Sequence, residues 1–231
     1  VAEGFRSPAA EQISSSGPVG PLGPPGGTIF SVTPTKVRSY DLGFTATPAA
    51  GWTAGLVLYQ IENEDEIVSQ ADGSFRSAGA TTRKGYEIET RWQATRSLAM
   101  YASYGRILEA KADNPLPTAG ARISIPRHVV KAGVEHRARL GEGRRVLNAD
   151  GYVSSGTPYY ASSPQTELRL MPTYTRFDLR ASYEWDRYQL AAFAVFQPHA
   201  YAADIAYGSP AGLLIAPQPQ RQFGVSLRYF F

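Results

Sequence analysis

The side chains of this chain that could do chemistry are few and scattered. Its three histidines, His128, His136 and His199, each stand alone, with no second ligand at metal-binding spacing. The acidic run Glu62, Glu64, Asp65 and Glu66 offers the oxygen ligands Ca²⁺ takes, yet such a run is ordinarily a solvated loop. Gly26-Gly27 sits in a proline-rich stretch with no Lys-Ser/Thr after it, so it is no phosphate cradle. The nucleophile elbow Gly-x-Ser-x-Gly does not occur. Cysteine is absent, which removes disulfides, thiolate metal sites and Cys nucleophiles together. The expectation is a protein without catalysis, resident metal or cofactor. A net charge of +3 over 231 residues is too small to argue for nucleic acid.

The charges that recur do so at period two. Glu87, Glu89 and Arg91 share one segment, Lys131, Glu135 and Arg137 a second, and Arg176, Asp178, Arg180 and Glu184 a third. Between them fall Tyr86, Ile88 and Trp92, then Val130, Ala132 and Val134, then Phe177, Leu179, Ala181, Tyr183 and Trp185. Strict alternation is a strand with one wet and one greasy face. A wet face carrying both signs either pairs its charges across strands or docks against something polar.

The elements that position these charges follow the same rule. The last stretch, Gln222 to Phe231, alternates Phe223, Val225, Leu227, Tyr229 and Phe231 against the mostly polar Gln222, Gly224, Ser226, Arg228 and Phe230, and the sequence stops on an aromatic. Similar strands are expected over Arg38–Ala46, Trp52–Ile61, Lys84–Ala94, Leu98–Leu108, His128–Ala138, Val146–Ser154, Thr173–Asp186 and Tyr188–Gln197. Val1 to Phe5 reads as the end of another, opening in mid-strand with no signal peptide, as a fragment would. That makes about ten strands. Their connections alternate between short turns and long loops, one of them the Pro/Gly-rich stretch 6–36, whose few collagen-like triplets are too few for a triple helix. Such sorting belongs to outer-membrane barrels, with brief periplasmic turns and long external loops. Tyr and Trp gather near strand ends, where a membrane interface holds them. No apolar run is long enough for a membrane helix, and a mean hydropathy of -0.26 is no objection, because alternating strands hide from hydropathy scales. The fold class expected is all-β, an antiparallel transmembrane β-barrel portion.

Several segments, taken in order, carry a resemblance: Gly4-Phe5-Arg6-Ser7-Pro8, Tyr40-Asp41-Leu42-Gly43, Lys84-Gly85-Tyr86-Glu87-Ile88-Glu89, Ile125-Pro126-Arg127-His128, Tyr174-Thr175-Arg176-Phe177-Asp178-Leu179-Arg180 and the terminal Phe231. Each is short, but their order and spacing resemble the C-terminal part of the barrel of TonB-dependent receptors. One departure is Val195-Phe196-Gln197-Pro198 before Tyr201, where the family usually shows an Asn-Leu-Phe-Asp-like run. The resemblance implies a barrel of about 22 strands, of which residues 1–231 would be the last part, with the plug domain absent from this sequence. It implies a Gram-negative outer-membrane protein taking up a scarce nutrient, with a ferric siderophore first among the candidates and cobalamin or a sugar behind it. It further implies as partners the receptor's own plug, the TonB energy-coupling complex acting through that plug, the lipid bilayer and the barrel-assembly machinery, which would read Phe231. The ten alternating charges would then be lumen wall or plug contacts. Tyr159, Tyr160, Tyr201 and Tyr207, in long loops, are the candidate contacts for a small-molecule ligand such as a metal chelate.

Three rivals remain open on the sequence. A passive pore or small standalone barrel would need the first strand to pair with Gln222–Phe231. An outer-membrane hydrolase would need His128 or His136 beside a serine or carboxylate at the outer rim. A soluble all-β module would need a second layer over the apolar faces.

Overall fold

Alternating β-branched, aromatic and polar residues between turn-forming Gly, Asp and Pro can satisfy their backbone groups only by pairing side by side. The computed structural model does this in one antiparallel sheet. It describes residues 1–7, 33–69, 75–77, 79–112, 125–160, 168–198, 203–209, 212–217 and 219–231. The strands are β1 (Ala2–Arg6), β2 (Thr35–Ala49), β3 (Trp52–Glu64), β4 (Ile67–Ser69), β5 (Phe75–Ser77), β6 (Thr81–Gln93), β7 (Leu98–Ala112) and β8 (His128–Leu140). They continue with β9 (Gly143–Ser154), β10 (Thr157–Tyr160), β11 (Leu168–Met171), β12 (Tyr174–Trp185), β13 (Tyr188–Phe196), β14 (Ala203–Ser209), β15 (Gly212–Pro217) and β16 (Arg221–Tyr229). Ten of them form a single sheet in the order β1-β2-β3-β6-β7-β8-β9-β12-β13-β16. β4–β5, β10–β11 and β14–β15 are separate two-stranded hairpins within the long connections. β1 and β16 are the two open edges, so the sheet is not closed on itself.

The short connections are 50–51, 94–97, 141–142 and 186–187, all at one end. Gly51 and Gly141 take positive φ there (73° and 57°), and Asp186 does so at 48°. In the 94–97 turn the Thr95 hydroxyl accepts the amides of Ser97 (3.2 Å) and Leu98 (3.0 Å). The strand ends that border the long connections 7–34, 65–80, 113–127, 155–173 and 197–220 are at the other end.

Two expectations are corrected at that second end. Strands β2, β3, β6 and β7 run further than the alternation reached: β3 to Glu64 rather than Ile61, β7 to Ala112 rather than Leu108. Hairpins also occupy stretches expected to be plain loops. Both differences have one cause: backbone pairing continues above the level at which one face must be apolar, and there the period-two signal vanishes. At the opposite end β16 stops at Tyr229, two residues short of the expected Phe231, although the Phe230 amide still bonds the Arg187 carbonyl at 2.8 Å.

Register sorts the side chains cleanly. One row across the sheet runs Phe44–Leu56–Ile88–Tyr104–Val130–Val153, each residue opposite the next. Among the described residues the only buried hydrophobics are Ala99, Ala110, Ala191 and Val195. Leu42 (71%), Val225 (74%), Phe177 and Leu179 (both 47%) stay uncovered. Among the described residues no second layer packs on the apolar face, which the soluble-module reading would need; a contiguous greasy surface of this kind is an interaction surface. Aromatics rim it. Tyr183, Trp185, Tyr188 and Tyr229 follow one another at centroid distances of 5.1–5.7 Å beside the short turns. Tyr86 and Tyr104 meet at 6.0 Å toward the long loops.

Candidate functional site: the charged face and its outer rim

The ten alternating charges come together on the face opposite the aromatics. Glu89 pairs through Ser103 to Lys131, then through Tyr152 to Arg176, so β6, β8 and β12 present the same face. The ion pairs among them run mainly along strands. Arg137 Nε meets Glu135 at 2.7 Å, and Arg176 grips Asp178 through Nε and Nη2 at 2.8–3.0 Å. Glu184 is held across strands by Arg144 at 2.8 Å. Cross-strand pairing is thus the minority arrangement; residues two apart on one strand also share a face, and the long arginine side chains reach that distance. These pairs are well exposed and each contributes little stability, ~0–1 kcal/mol.

Sequence reasoning missed several members of this face. Tyr152 lies between Lys131, whose ammonium is 5.7 Å from the ring centroid, and Tyr174, 5.5 Å away edge-on. The Tyr101 hydroxyl donates to Asp150. Residues 49 positions apart in sequence can be joined only through register, and no local signal announces this pair.

The histidines serve other ends. His128 lies on the apolar face with its ring stacked on Tyr104, Nδ1 2.7 Å from the tyrosine oxygen. The nearby Ser155 hydroxyl bonds the His128 backbone amide at 3.1 Å and not its ring, so no Ser–His dyad forms there. His136 pairs with Leu98 toward the short-turn end. His199 lies outside the described residues.

The acidic run also separates. Glu62 accepts from Gln60 at 2.5 Å, Glu64 faces Lys36 at 3.8 Å, and Asp65 takes a turn at φ 58° with its carbonyl accepting from Thr35 at 3.1 Å. Among the described residues no group of three or more His, Asp or Glu side chains could hold a metal. Glu66 is the exception in burial. Its carboxylate receives Arg83 Nη2 at 2.6 Å, Asn63 Nδ2 at 3.3 Å and the Thr81 hydroxyl, while its amide bonds the Gly79 carbonyl at 3.2 Å. Thr81 and Asn63 are buried, and this network ties the base of the β4–β5 hairpin to the outer ends of β3 and β6.

Burial pushes the Glu66 carboxyl up, but the Arg83 and Thr81 hydrogen bonds, the Arg83 charge and the Asn63 amide outweigh it and leave it below its ordinary 4.5. A depressed folded value stabilises above the unfolded one and is lost as pH falls through the folded one. Acidification below about 4.5 is therefore expected to loosen the stem of the β3–β6 loop, read as faster amide exchange at Glu66 and at its neighbours. Unchanged exchange from pH 7 to pH 3 would overturn this role.

Of the tyrosines expected to meet a ligand, Tyr159 and Tyr160 fall in β10 opposite Arg169 and Leu168, and Tyr207 in β14 opposite Leu214; only the backbone course is described there. Tyr201 lies outside the described residues. Phe231 follows β16 with its ring 5.1 Å from that of Tyr229.

No curated protein matches the sequence. Solved structures resemble its fold. The ferric yersiniabactin uptake receptor FyuA from Yersinia pestis superposes with a TM-score of 0.68 at 17% identity, over 86% of this chain and 30% of that one. The copper transporter OprC gives 0.64 at 18% identity, over 99% and 36%. A variant of the ferric enterobactin receptor PfeA from Pseudomonas aeruginosa, bound to enterobactin, gives 0.63 at 12% identity, over 98% and 37%. The chain thus spans about a third of the length of these structures, and at such identities the likeness is one of fold. Residues 1–196, most of the sequence, match the family described as TonB dependent receptor-like, beta-barrel, and with the ten-stranded sheet, its one greasy face and its sorted loops this establishes that the chain belongs to that family, one of receptors and not of enzymes.

Proposed function

We propose that this chain supplies barrel wall and external loops to a Gram-negative outer-membrane receptor that imports a ferric siderophore by TonB-dependent gating. The observation that carries the reading is the family match over residues 1–196. Two of the solved relatives in fold are named as receptors for ferric yersiniabactin and ferric enterobactin, which favours a ferric chelate as cargo. The apolar face meets lipid, and the charged face of Glu87, Glu89, Arg91, Lys131, Glu135, Arg137, Arg176, Asp178, Arg180 and Glu184 lines the lumen against a plug domain. A wall of exposed, individually weak ion pairs suits a plug that must shift and return. The connection 7–34 between β1 and β2 serves as an external loop, and Tyr159, Tyr160, Tyr201 and Tyr207 contact the chelate from the outer side. Phe231 is read by the barrel-assembly machinery.

A closed ten-strand pore is the weaker reading, because β1 and β16 stand at opposite edges of an open sheet. Both edges find partners in further strands of a larger barrel, since unpaired edges are not tolerated in lipid.

Uptake of radiolabelled ferric catecholates, ferric hydroxamates, cobalamin and copper would be compared in cells with and without the receptor and with and without TonB. Loss of one ferric chelate in both deletions is the expected result. Uptake that survives TonB removal would restore the passive pore, and loss of copper alone would replace the siderophore by a metal ion, as the name of OprC would suggest.

A further inference from the structure

We propose that a shallow recess on the apolar face between β8, β9, β12 and β13 holds one phospholipid, its acyl chain against the recess and its phosphate on Arg145. The inference rests on the membrane reading above and adds to it a specific lipid site.

The recess is floored by Ala149, Ala181 and Ala192, walled by Leu147 and Leu179, and bordered by His136 at its lower edge. Register places all six on the apolar face: Leu147 opposes His136 and Ala181, Ala181 opposes Ala192, and Leu179 opposes Ala149. Three alanines side by side make a step down in a surface otherwise built from Leu, Phe and Val. Hydrocarbon fills such a step readily, because a void there forfeits dispersion contacts on both sides.

The row directly beneath reads Ala138–Arg145–Tyr183–Leu190. Arg145 is half-buried there, on the face turned to lipid. Its Nε is buried and has no hydrogen-bond partner, and no carboxylate pairs with it among the described residues. Its sequence neighbour Arg144 turns to the charged face and meets Glu184 at 2.8 Å. A guanidinium on a lipid-facing surface is costly unless it lies at headgroup depth beside an anion. Depth is given by the aromatic rim: Tyr183 stacks on Trp185 at 5.4 Å, and Trp185 on Tyr188 at 5.7 Å. A fork of donors at that level, immediately below an apolar recess, matches a phosphodiester with a hydrocarbon tail. A free anion would leave the recess empty, and a neutral lipid would leave the guanidinium unmatched.

The test uses the full-length receptor, purified in a delipidating detergent and titrated with phosphatidylglycerol, diacylglycerol or inorganic phosphate under native mass spectrometry. Phosphatidylglycerol is expected to remain bound, diacylglycerol weakly and phosphate not at all. Arg145→Gln is expected to weaken the phosphatidylglycerol adduct about fivefold, the scale of one cation at an anionic lipid surface. Ala181→Leu fills the recess and is expected to weaken the same adduct. Arg221→Gln changes an arginine on the same face at the opposite end of the strands and should leave it unaltered. Equal retention of phosphatidylglycerol by wild type and Arg145→Gln would overturn the site, as would equal retention of diacylglycerol or equal binding of inorganic phosphate. Heat-shifted gel mobility is read in parallel. A barrel that keeps the shift but loses these differences sinks this proposal alone, whereas loss of the shift in the wild type sinks the membrane reading too.

Discussion

Leu179→Arg is expected to lower the unfolding free energy in lipid vesicles by ~2–4 kcal/mol, the cost of an arginine near the bilayer midplane on the outer face of a barrel. Arg180→Leu, the next residue, is expected to change it by less than about 1 kcal/mol. Leu179 stands midway along β12, between Ala149 and Ala194, and is 47% exposed with no other described element above it. The charge placed there can reach neither the aromatic rim near Tyr183 nor water without bending the strand. Arg180 points the other way, toward Asn148 and Phe193, on the wet face. The sign makes the pair decisive. In water an exposed Leu→Arg change is neutral or mildly favourable, so a stable Leu179→Arg protein would remove the bilayer from this face. Urea unfolding in vesicles, with gel mobility before and after heating, measures both variants on one scale.

The wall of this sheet was legible in its sequence wherever one face has to be apolar, and illegible where that rule lapses. Between Phe177 and Trp185 each second residue must be apolar, so the period shows directly. At Thr81–Arg83 both faces are wet. The strand continues without alternating, which is why Asn63, Thr81 and Arg83 read as loop and the Glu66 network they build went unseen. A different obstacle hid Tyr101–Asp150 and Tyr152–Tyr174, which are made by register alone. Arg145 carried a faint signal, since it shares parity with Leu147 and Ala149. The alternation expected from Val146 onward places Arg145 in the preceding turn, because a polar residue on a greasy face reads as a connection.

Gly133→Val is expected to cost ~2–4 kcal/mol, combining overpacking with the loss of a hydrogen bond to a charged group. Tyr101, Gly133 and Asp150 are direct partners on β7, β8 and β9, and the tyrosine ring crosses above the glycine to reach the carboxylate. A Cβ on Gly133 would lie 2.5 Å from the ring Cζ and closer still to an Asp150 oxygen. The ring must then leave, and the bond it makes goes with it. A glycine within a strand, covered by a neighbour's aromatic ring, is a strand weakness made good by the pairing itself. This account predicts a coupling. In the Gly133→Val background, Tyr101→Ala should cost ~1–3 kcal/mol less than in the wild type, because the clash has already displaced the ring. Gly105, on the same face of β7, is the control: the nearest atom to a Cβ there is Glu87 Cγ at 3.9 Å, so Gly105→Ala should stay within about 0.5 kcal/mol of wild type. Equal costs at Gly105 and Gly133 would mean that glycine matters to these strands through backbone entropy and not through the ring. Additive costs at Tyr101 and Gly133 would mean that ring and glycine do not compete for one space.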